Sequence, residues 1–192
     1  MKRKLSTCLL LVLCTVPAAL HAQKAPVADA LRMYLGQFKN NLTLAVDDFP
    51  VAKFPYKPTS PQMSVGTVVE HLAGSNNFLC SAVSGVPAPT EAKVDPATAA
   101  PDTLKARLRR SWAFCETALA KLDDSKLTDS VNFFGGKRTR AAVILAMPYD
   151  WADHYSQLAN YLRLNAISPP NAKARAVPLN HVTWLSPSKA ST

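Results

Sequence analysis

The chain has 192 residues, of which 48% are hydrophobic, and its formal net charge is +9. This length is sufficient to bury one hydrophobic core, and no change in composition along the chain indicates a second domain. Lysine and arginine are scattered rather than clustered with aromatic residues, which argues against a nucleic-acid-binding surface. The sequence has no glycine-rich phosphate loop, GxSxG motif or CxxC motif, which excludes several common enzyme classes.

Residues 1–22 have the layout of a secretory signal peptide. Three basic residues at positions 2–4 precede an apolar run over residues 9–16, and small residues follow up to Ala22. The apolar run is too short to cross a bilayer core of about 30 Å. We therefore expect cleavage, no membrane attachment of the mature protein and a periplasmic or secreted location. Loss of the three basic residues lowers the net charge from +9 to +6.

Four segments show the three- and four-residue spacing of apolar side chains that is typical of amphipathic helices. Proline-rich stretches at 47–63 and 85–101, and a connection over 123–137, separate them. This pattern predicts an all-α domain over residues 23–170. The four segments run from about Val27 to Val46, from the N-cap Ser64 to Gly85, from near Asp102 to Leu122, and from the cap Thr139 to about Asn165.

The C-terminal residues 171–192 show no sustained hydrophobic period and contain Pro178 and Pro187. Proline lacks a backbone N–H and does not continue regular structure. We therefore predict an extended C-terminal tail.

Three histidines follow the predicted signal peptide, and two of them, His71 and His154, lie on the inward faces of predicted helices. Asp150 precedes His154 by one helical turn, so the two side chains share a face. His71, on the second helix, can supply a third ligand from across the bundle. We predict one divalent metal site at His71, Asp150 and His154. Two imidazoles and a carboxylate suit zinc, nickel, iron or manganese.

Purely structural roles remain open for the same residues. His71 could be a hydrogen-bonded core histidine, and Asp150 could pair with Arg140, Arg163 or a helix end. Gln157 and Tyr161 continue the stripe of Asp150 and His154, and we predict that they either support a ligand from behind or orient a substrate.

Two cysteines remain after the predicted signal peptide. Cys80 and Cys115 lie toward the ends of different predicted helices, and an oxidising compartment would allow a disulfide between them. Two buried thiols that act as small apolar side chains are the alternative.

Two stretches, VGTVVEHLA at 65–73 and DWADHYSQLANYLRLNAISPP at 150–170, resemble the DinB-like family of damage-inducible bacterial proteins. Residues 65–73, VGTVVEHLA, resemble the family's second-helix motif, and His71 matches its metal-binding histidine. Residues 150–170, DWADHYSQLANYLRLNAISPP, resemble its last-helix pattern of HxxxHxxQ followed by YLR and a Pro-Pro stop. His154 matches the second histidine of this pattern, whereas Asp150 stands where the family has the first.

The resemblance covers roughly residues 27–170. It implies a four-helix up-down-down-up bundle with a histidine-rich site for a divalent metal, often found as a homodimer. It also implies relatives that act as thiol-dependent transferases or isomerases, beside many without a known reaction.

Three functions are compatible with these features. The first is a metal-dependent hydrolase of a small-molecule substrate, in which the ion activates water. The second is a non-catalytic envelope protein with a structural or vestigial metal site. The third is a thiol-dependent S-transferase, against which export argues because low-molecular-weight thiols are chiefly cytosolic. No residue in the sequence stands out as a general base, and the substrate is not indicated.

Overall fold

Four long helices form a bundle in the computed structural model, which describes residues 25–175. The all-α fold predicted from the sequence is confirmed for this part of the chain, apart from one short β-hairpin. None of the helices in it is long and apolar enough to cross a bilayer. The helices are α1 (Pro26–Asp47), α2 (Val65–Ser84), α3 (Pro101–Leu119), α4 (Arg140–Leu164) and the short α5 (Pro170–Arg175).

The ends of α2 and the start of α4 follow local capping rules. The Ser64 hydroxyl accepts a hydrogen bond from the backbone N–H of Thr67, and the Thr139 hydroxyl accepts one from that of Ala142. Both side chains satisfy helix N–H groups that have no partner within the helix. Gly85 ends α2 with φ of 78°, a left-handed conformation that glycine adopts without steric cost. Both predicted N-caps are therefore confirmed.

Each of the four long helices packs against two of the others. α2 contacts α3 and α4, and α1 contacts the same two helices. α2 and α3 run in the same direction. The Glu70–Arg107 ion pair joins the first halves of the two helices, and the Cys80–Cys115 disulfide joins positions nearer to their C-terminal ends. The complete up-down-down-up order of the four helices stays a prediction.

α2 and α4 run in opposite directions. His71, in the first half of α2, lies beside Asp150, whereas Val83, near the end of α2, accepts a hydrogen bond from the Arg140 guanidinium at the start of α4. The helix α4 continues through Pro148, although this residue offers no N–H to the carbonyl of Ile144. This antiparallel pair carries the predicted metal ligands.

A buried polar contact connects three helices in the core. The Trp151 indole N–H donates to the Asn76 side-chain carbonyl at 2.8 Å, and the Asn76 amide donates to the Ser111 hydroxyl at 3.0 Å. Trp151 also packs on Trp112, with ring centroids 5.6 Å apart. Because both tryptophans are buried, Trp151 fixes the rotation of α4 about its axis.

Cys80 and Cys115 form a disulfide between α2 and α3, with their Cα atoms 5.3 Å apart. Both residues are fully buried. Of the two roles left open by the sequence, the structure shows the disulfide rather than free thiols.

A short β-hairpin precedes α4, where the sequence indicated only a connection. Strands β1 (Ser130–Phe133) and β2 (Gly136–Thr139) pair antiparallel around a two-residue turn, in which Phe134 and Gly135 have positive φ. Such turns match the twist of a hairpin. β1 alternates exposed and half-buried side chains, but over four residues only, and β2 is exposed throughout, so the pattern is too short for sequence reasoning to identify the hairpin.

The predicted extended tail is wrong for its first residues, because α5 is helical. Proline is tolerated in the first turn of a helix, and Pro170 begins α5. The Asn171 N–H donates to the Tyr155 hydroxyl, and the Lys173 ammonium pairs with Asp48 at 2.8 Å. The predicted signal peptide at 1–22 and the rest of the tail lie outside the described residues.

Candidate metal centre

The three predicted ligands converge between α2 and α4. His71, Asp150 and His154 each offer one potential ligand atom, and these atoms all lie within 4.8 Å of one another. The Asp150 Oδ1 atom is 3.5 Å from the Nε2 atom of His71 and 3.6 Å from that of His154. The carboxylate therefore stands between the two imidazoles.

Local helix geometry explains this arrangement. Asp150 and His154 are one turn apart, and they flank the fixed Trp151, so both side chains turn toward α2. The exposed fraction of the side chain is 8% for His154, 21% for Asp150 and 42% for His71. The expectation that His71 belongs to the buried face of α2 is therefore wrong. His71 lies at the edge of this face, beside the fully buried Leu72, and the site opens to solvent on its side.

The distances from Asp150 to the two imidazoles fit a metal ion. Two atoms that each bind one ion at about 2.1 Å in tetrahedral geometry are about 3.4 Å apart. The separations of 3.5 and 3.6 Å between Asp150 and the two imidazoles are close to this value. The second carboxylate oxygen of Asp150 is buried and has no hydrogen-bond partner among the described residues. A buried carboxylate oxygen without a partner is unfavourable, and a cation would compensate it.

The arginine pairing considered for Asp150 is not found. Within residues 25–175, neither Arg140 nor Arg163 forms an ion pair with this carboxylate. Arg140 pairs with Asp129 and donates to the Val83 carbonyl instead. The neighbours of Asp150 are thus the two histidines.

The electrostatics of His71 follow from Asp150. The hydrogen bond with Asp150 raises the pKa of His71 above its ordinary value of 6.5, and the negative charge of this carboxylate adds to the effect. Partial burial opposes the increase in pKa because it disfavours the imidazolium. Without a metal, the Asp150 carboxylate therefore favours protonation of His71.

Gln157 and Tyr161 lie behind His154, on the side away from Asp150. The Gln157 Oε1 atom is 3.1 Å from His154 Nδ1, and the Gln157 amide donates to the Tyr161 hydroxyl at 2.8 Å. The Tyr161 hydroxyl donates to the Met63 carbonyl at 3.0 Å. Sequence reasoning grouped these side chains with His154 but did not include Met63.

Ser75 is a further residue that sequence reasoning missed. Its hydroxyl oxygen is 3.2 Å from His71 Nε2, the nitrogen that also faces Asp150. The signal was available, because Ser75 follows His71 by four residues and so lies one turn along the same helix face.

A polar groove of about 490 Å³ adjoins His154, between α4 and the loop before α2. It shares His154, Gln157 and Tyr161 with the site. Among the described residues that line it, none is lysine or arginine. Its other walls include Gln62, Met63, Asp153, Ser156, Asn160 and Leu164. The groove has the size of a small-molecule site.

A family model described as the DinB superfamily matches residues 34–158, more than half of the chain. The chain belongs to the DinB superfamily. This result confirms the family that residues 65–73 and 150–170 indicated. No curated protein matches this DinB chain.

Solved structures share the DinB fold. A DinB-like protein from Bacillus subtilis has a TM-score of 0.59 and 17% identity, over 72% of this chain and 93% of the other. A DinB-like protein from Bacillus cereus has a TM-score of 0.60 and 14% identity, over 74% and 95%. A histidine-to-alanine mutant of the mycothiol-dependent maleylpyruvate isomerase has a TM-score of 0.55 and 13% identity, over 68% of this chain and 60% of the isomerase. At these identities the likeness shows the fold alone.

Proposed function

We propose that this DinB protein binds one divalent metal ion through His71, Asp150 and His154 and is a hydrolase of a small-molecule substrate. The observation that carries the proposal is the convergence of three potential ligand atoms within 4.8 Å, beside a groove of about 490 Å³. Zinc, nickel, iron and manganese all accept two imidazoles and a carboxylate, so the donor set leaves the metal open.

A bound divalent ion would supply Lewis acidity and lower the pKa of a coordinated water toward about 7. The residues around the site suit this chemistry. Three side chains leave coordination positions free, and the exposure of His71 gives water access to one side. The groove lined by His154, Gln157 and Tyr161 would hold the substrate on the His154 side of the site.

A non-catalytic role is the first alternative. A structural metal site is usually closed by four side chains, whereas only three histidine or acidic side chains converge within the part of the chain that the structure describes. This difference supports a reactive site over a purely structural one.

A thiol-dependent reaction is the second alternative, and the fold shared with the mycothiol-dependent isomerase favours it. We propose that the protein is periplasmic or secreted, and this location argues against a thiol-dependent reaction. The signal-like residues 1–22 and the buried Cys80–Cys115 disulfide support this location, since disulfides persist in oxidising compartments. Low-molecular-weight thiols are scarce there.

The first test is elemental analysis of the mature protein, purified without chelators or a histidine tag. We expect about one divalent ion per chain and its loss in the His154→Ala variant. Asp153→Asn is the matched control, because Asp153 is an exposed acid on the same helix and does not belong to the three-residue cluster. Wild-type protein that is folded and takes up no divalent metal would refute the proposal.

The second test separates a catalytic ion from a structural one. Wild-type and His154→Ala proteins are compared for hydrolysis of p-nitrophenyl esters and phosphate esters, and for thermal unfolding. We expect loss of turnover in the variant with a small change in melting temperature. A large fall in melting temperature without wild-type turnover would favour the structural alternative.

A further inference from the structure

A chain of hydrogen bonds links His154 to the loop before α2. It runs from His154 Nδ1 through the Gln157 amide and the Tyr161 hydroxyl to the Met63 carbonyl, with successive distances of 3.1, 2.8 and 3.0 Å. We call these three bonds the His154 relay. Tyr161 is buried, so its hydroxyl depends on partners within the protein.

The last member of the relay sets the direction of every bond in it. A backbone carbonyl can only accept, so the Tyr161 hydroxyl donates its proton to Met63. The Tyr161 oxygen must then accept from the Gln157 side chain, which places the Gln157 NH₂ group toward Tyr161 and its carbonyl oxygen toward His154. This carbonyl oxygen accepts only from a protonated Nδ1.

A competing acceptor lies on the other side of the same ring. Asp150 Oδ1 is 3.6 Å from His154 Nε2, and by itself it would attract the ring proton to this nitrogen. A protonated Nε2 carries no lone pair for a metal. The relay and Asp150 therefore favour opposite tautomers of the neutral imidazole.

We propose that Gln157 and Tyr161 are positioning residues that hold His154 in the Nδ1-protonated tautomer, with the Nε2 lone pair directed at Asp150 and His71. This assignment concerns the protein without metal. Its consequence for metal affinity rests on the proposed function.

The loop that ends the relay is itself held in place. The Tyr56 ring packs edge-on against Tyr161, with centroids 5.9 Å apart, and the Tyr56 carbonyl accepts a hydrogen bond from the N–H of Val65. The Gly66 N–H donates in the same way to the Phe54 carbonyl at 2.9 Å. The Met63 carbonyl is thus presented by a segment tied to the start of α2, the helix that also carries His71.

The test is the tautomer of His154 in metal-free protein, read from long-range ¹H–¹⁵N NMR spectra at a pH above which the ring ¹⁵N shifts no longer change. In the wild type we expect the Nδ1-protonated form to predominate. Gln157→Met keeps the side-chain length but removes the acceptor, so the Nε2-protonated form should become the major one. Gln157→Glu keeps an acceptor oxygen and should retain the wild-type tautomer.

Gln62→Met is the matched control. Gln62 lines the same groove, but its side chain contacts Thr59 rather than His154, so the tautomer should not change. A predominantly Nε2-protonated His154 in the wild type would overturn the assignment. The assignment would also be overturned by a Gln157→Met variant that folds, as judged by circular dichroism, and keeps the wild-type tautomer of His154.

Zinc affinity, measured by competition with a chromophoric chelator, gives a second readout. Loss of the residue that orients a metal-binding histidine typically weakens binding roughly 10- to 100-fold. We expect a loss of this size in Gln157→Met and none in Gln62→Met. If the wild type binds no divalent ion, the proposed function fails, while the NMR result still decides the role of the relay.

Discussion

At the scale of single residues, Asp150 is the most informative side chain. It lies between two imidazoles, and its second oxygen is buried and has no hydrogen-bond partner in the described residues. Its neighbour Trp151 is locked in the core by Asn76, so α4 cannot rotate to expose the carboxylate. This arrangement is unfavourable for a metal-free protein and favourable for one that binds a cation.

Replacing Asp150 by leucine should therefore have opposite effects on stability and on metal binding. Without metal, and at a pH high enough to keep His71 neutral, removal of a mostly buried carboxylate should raise the free energy of unfolding by about 1 kcal/mol. Urea unfolding in the presence of a chelator measures this change, and metal analysis should show that the variant binds no ion.

Asp153→Leu serves as the comparison for Asp150→Leu, since Asp153 is exposed on the same helix. It should leave the metal content unchanged. A metal-free Asp150→Leu protein that is less stable than the wild type would show that the carboxylate stabilises the fold through the histidines alone.

At the scale of elements, ion pairs order the proline-rich segment between α2 and α3. Glu91, within this segment, accepts from the Arg110 guanidinium at 3.0 Å and pairs with Arg107 at 2.7 Å. Arg107 also forms a two-bond pair with Glu70 of α2. A segment without regular secondary structure is thus attached to α3 through charged side chains, and Arg107 connects this attachment to α2.

The attachment should depend on pH through Glu91. The hydrogen bond from Arg110 lowers the pKa of Glu91 below its ordinary value of 4.5, and the charges of Arg110 and Arg107 contribute while burial opposes. The stabilisation that Glu91 contributes through these ion pairs is therefore complete above the ordinary pKa of glutamate. It is lost as the pH falls through the lowered pKa of Glu91 in the folded protein.

Hydrogen exchange tests this dependence. At neutral pH, Glu91→Gln should accelerate exchange over residues 86–99 relative to the wild type, after correction for intrinsic rates. The difference should disappear once the pH has fallen below the lowered pKa of Glu91, where both proteins carry a neutral side chain. Glu116→Gln, which removes a surface pair with Lys39, should not affect this segment. Equal exchange of wild type and Glu91→Gln at neutral pH would contradict the attachment.

At the scale of the whole molecule, the Cys80–Cys115 disulfide joins α2 to α3 across 35 positions of sequence. Both cysteines are buried next to the Asn76 contact that also includes Trp151. The cross-link stabilises the fold chiefly by restricting the unfolded chain.

Replacing both cysteines by alanine should lower the free energy of unfolding by about 2–4 kcal/mol, as measured by urea denaturation. Reduction of the wild type should give a similar loss. Metal content should not change, because Cys80 lies more than two turns from His71 on α2. Unchanged stability in the double variant would mean that the bond does not form in the folded protein.

Local features of the sequence determined much of the fold and part of the site. The caps Ser64 and Thr139, the stop at Gly85 and the shared face of Asp150 and His154 all depend on residues within one or two helical turns. Short-range rules are sufficient for such features. The prediction of a four-helix bundle required more, namely the resemblance of whole segments to the DinB family.

Only the tertiary structure decided the features that depend on distances between helices. These include the separation of His71 from Asp150, the solvent exposure of His71 and the bond from Tyr161 to the Met63 carbonyl. Hydrophobic spacing indicates which face of a helix is buried but not how two helices are rotated against each other. The packing of Trp112 and Trp151 sets this rotation, and with it the side of the bundle on which the candidate metal centre opens.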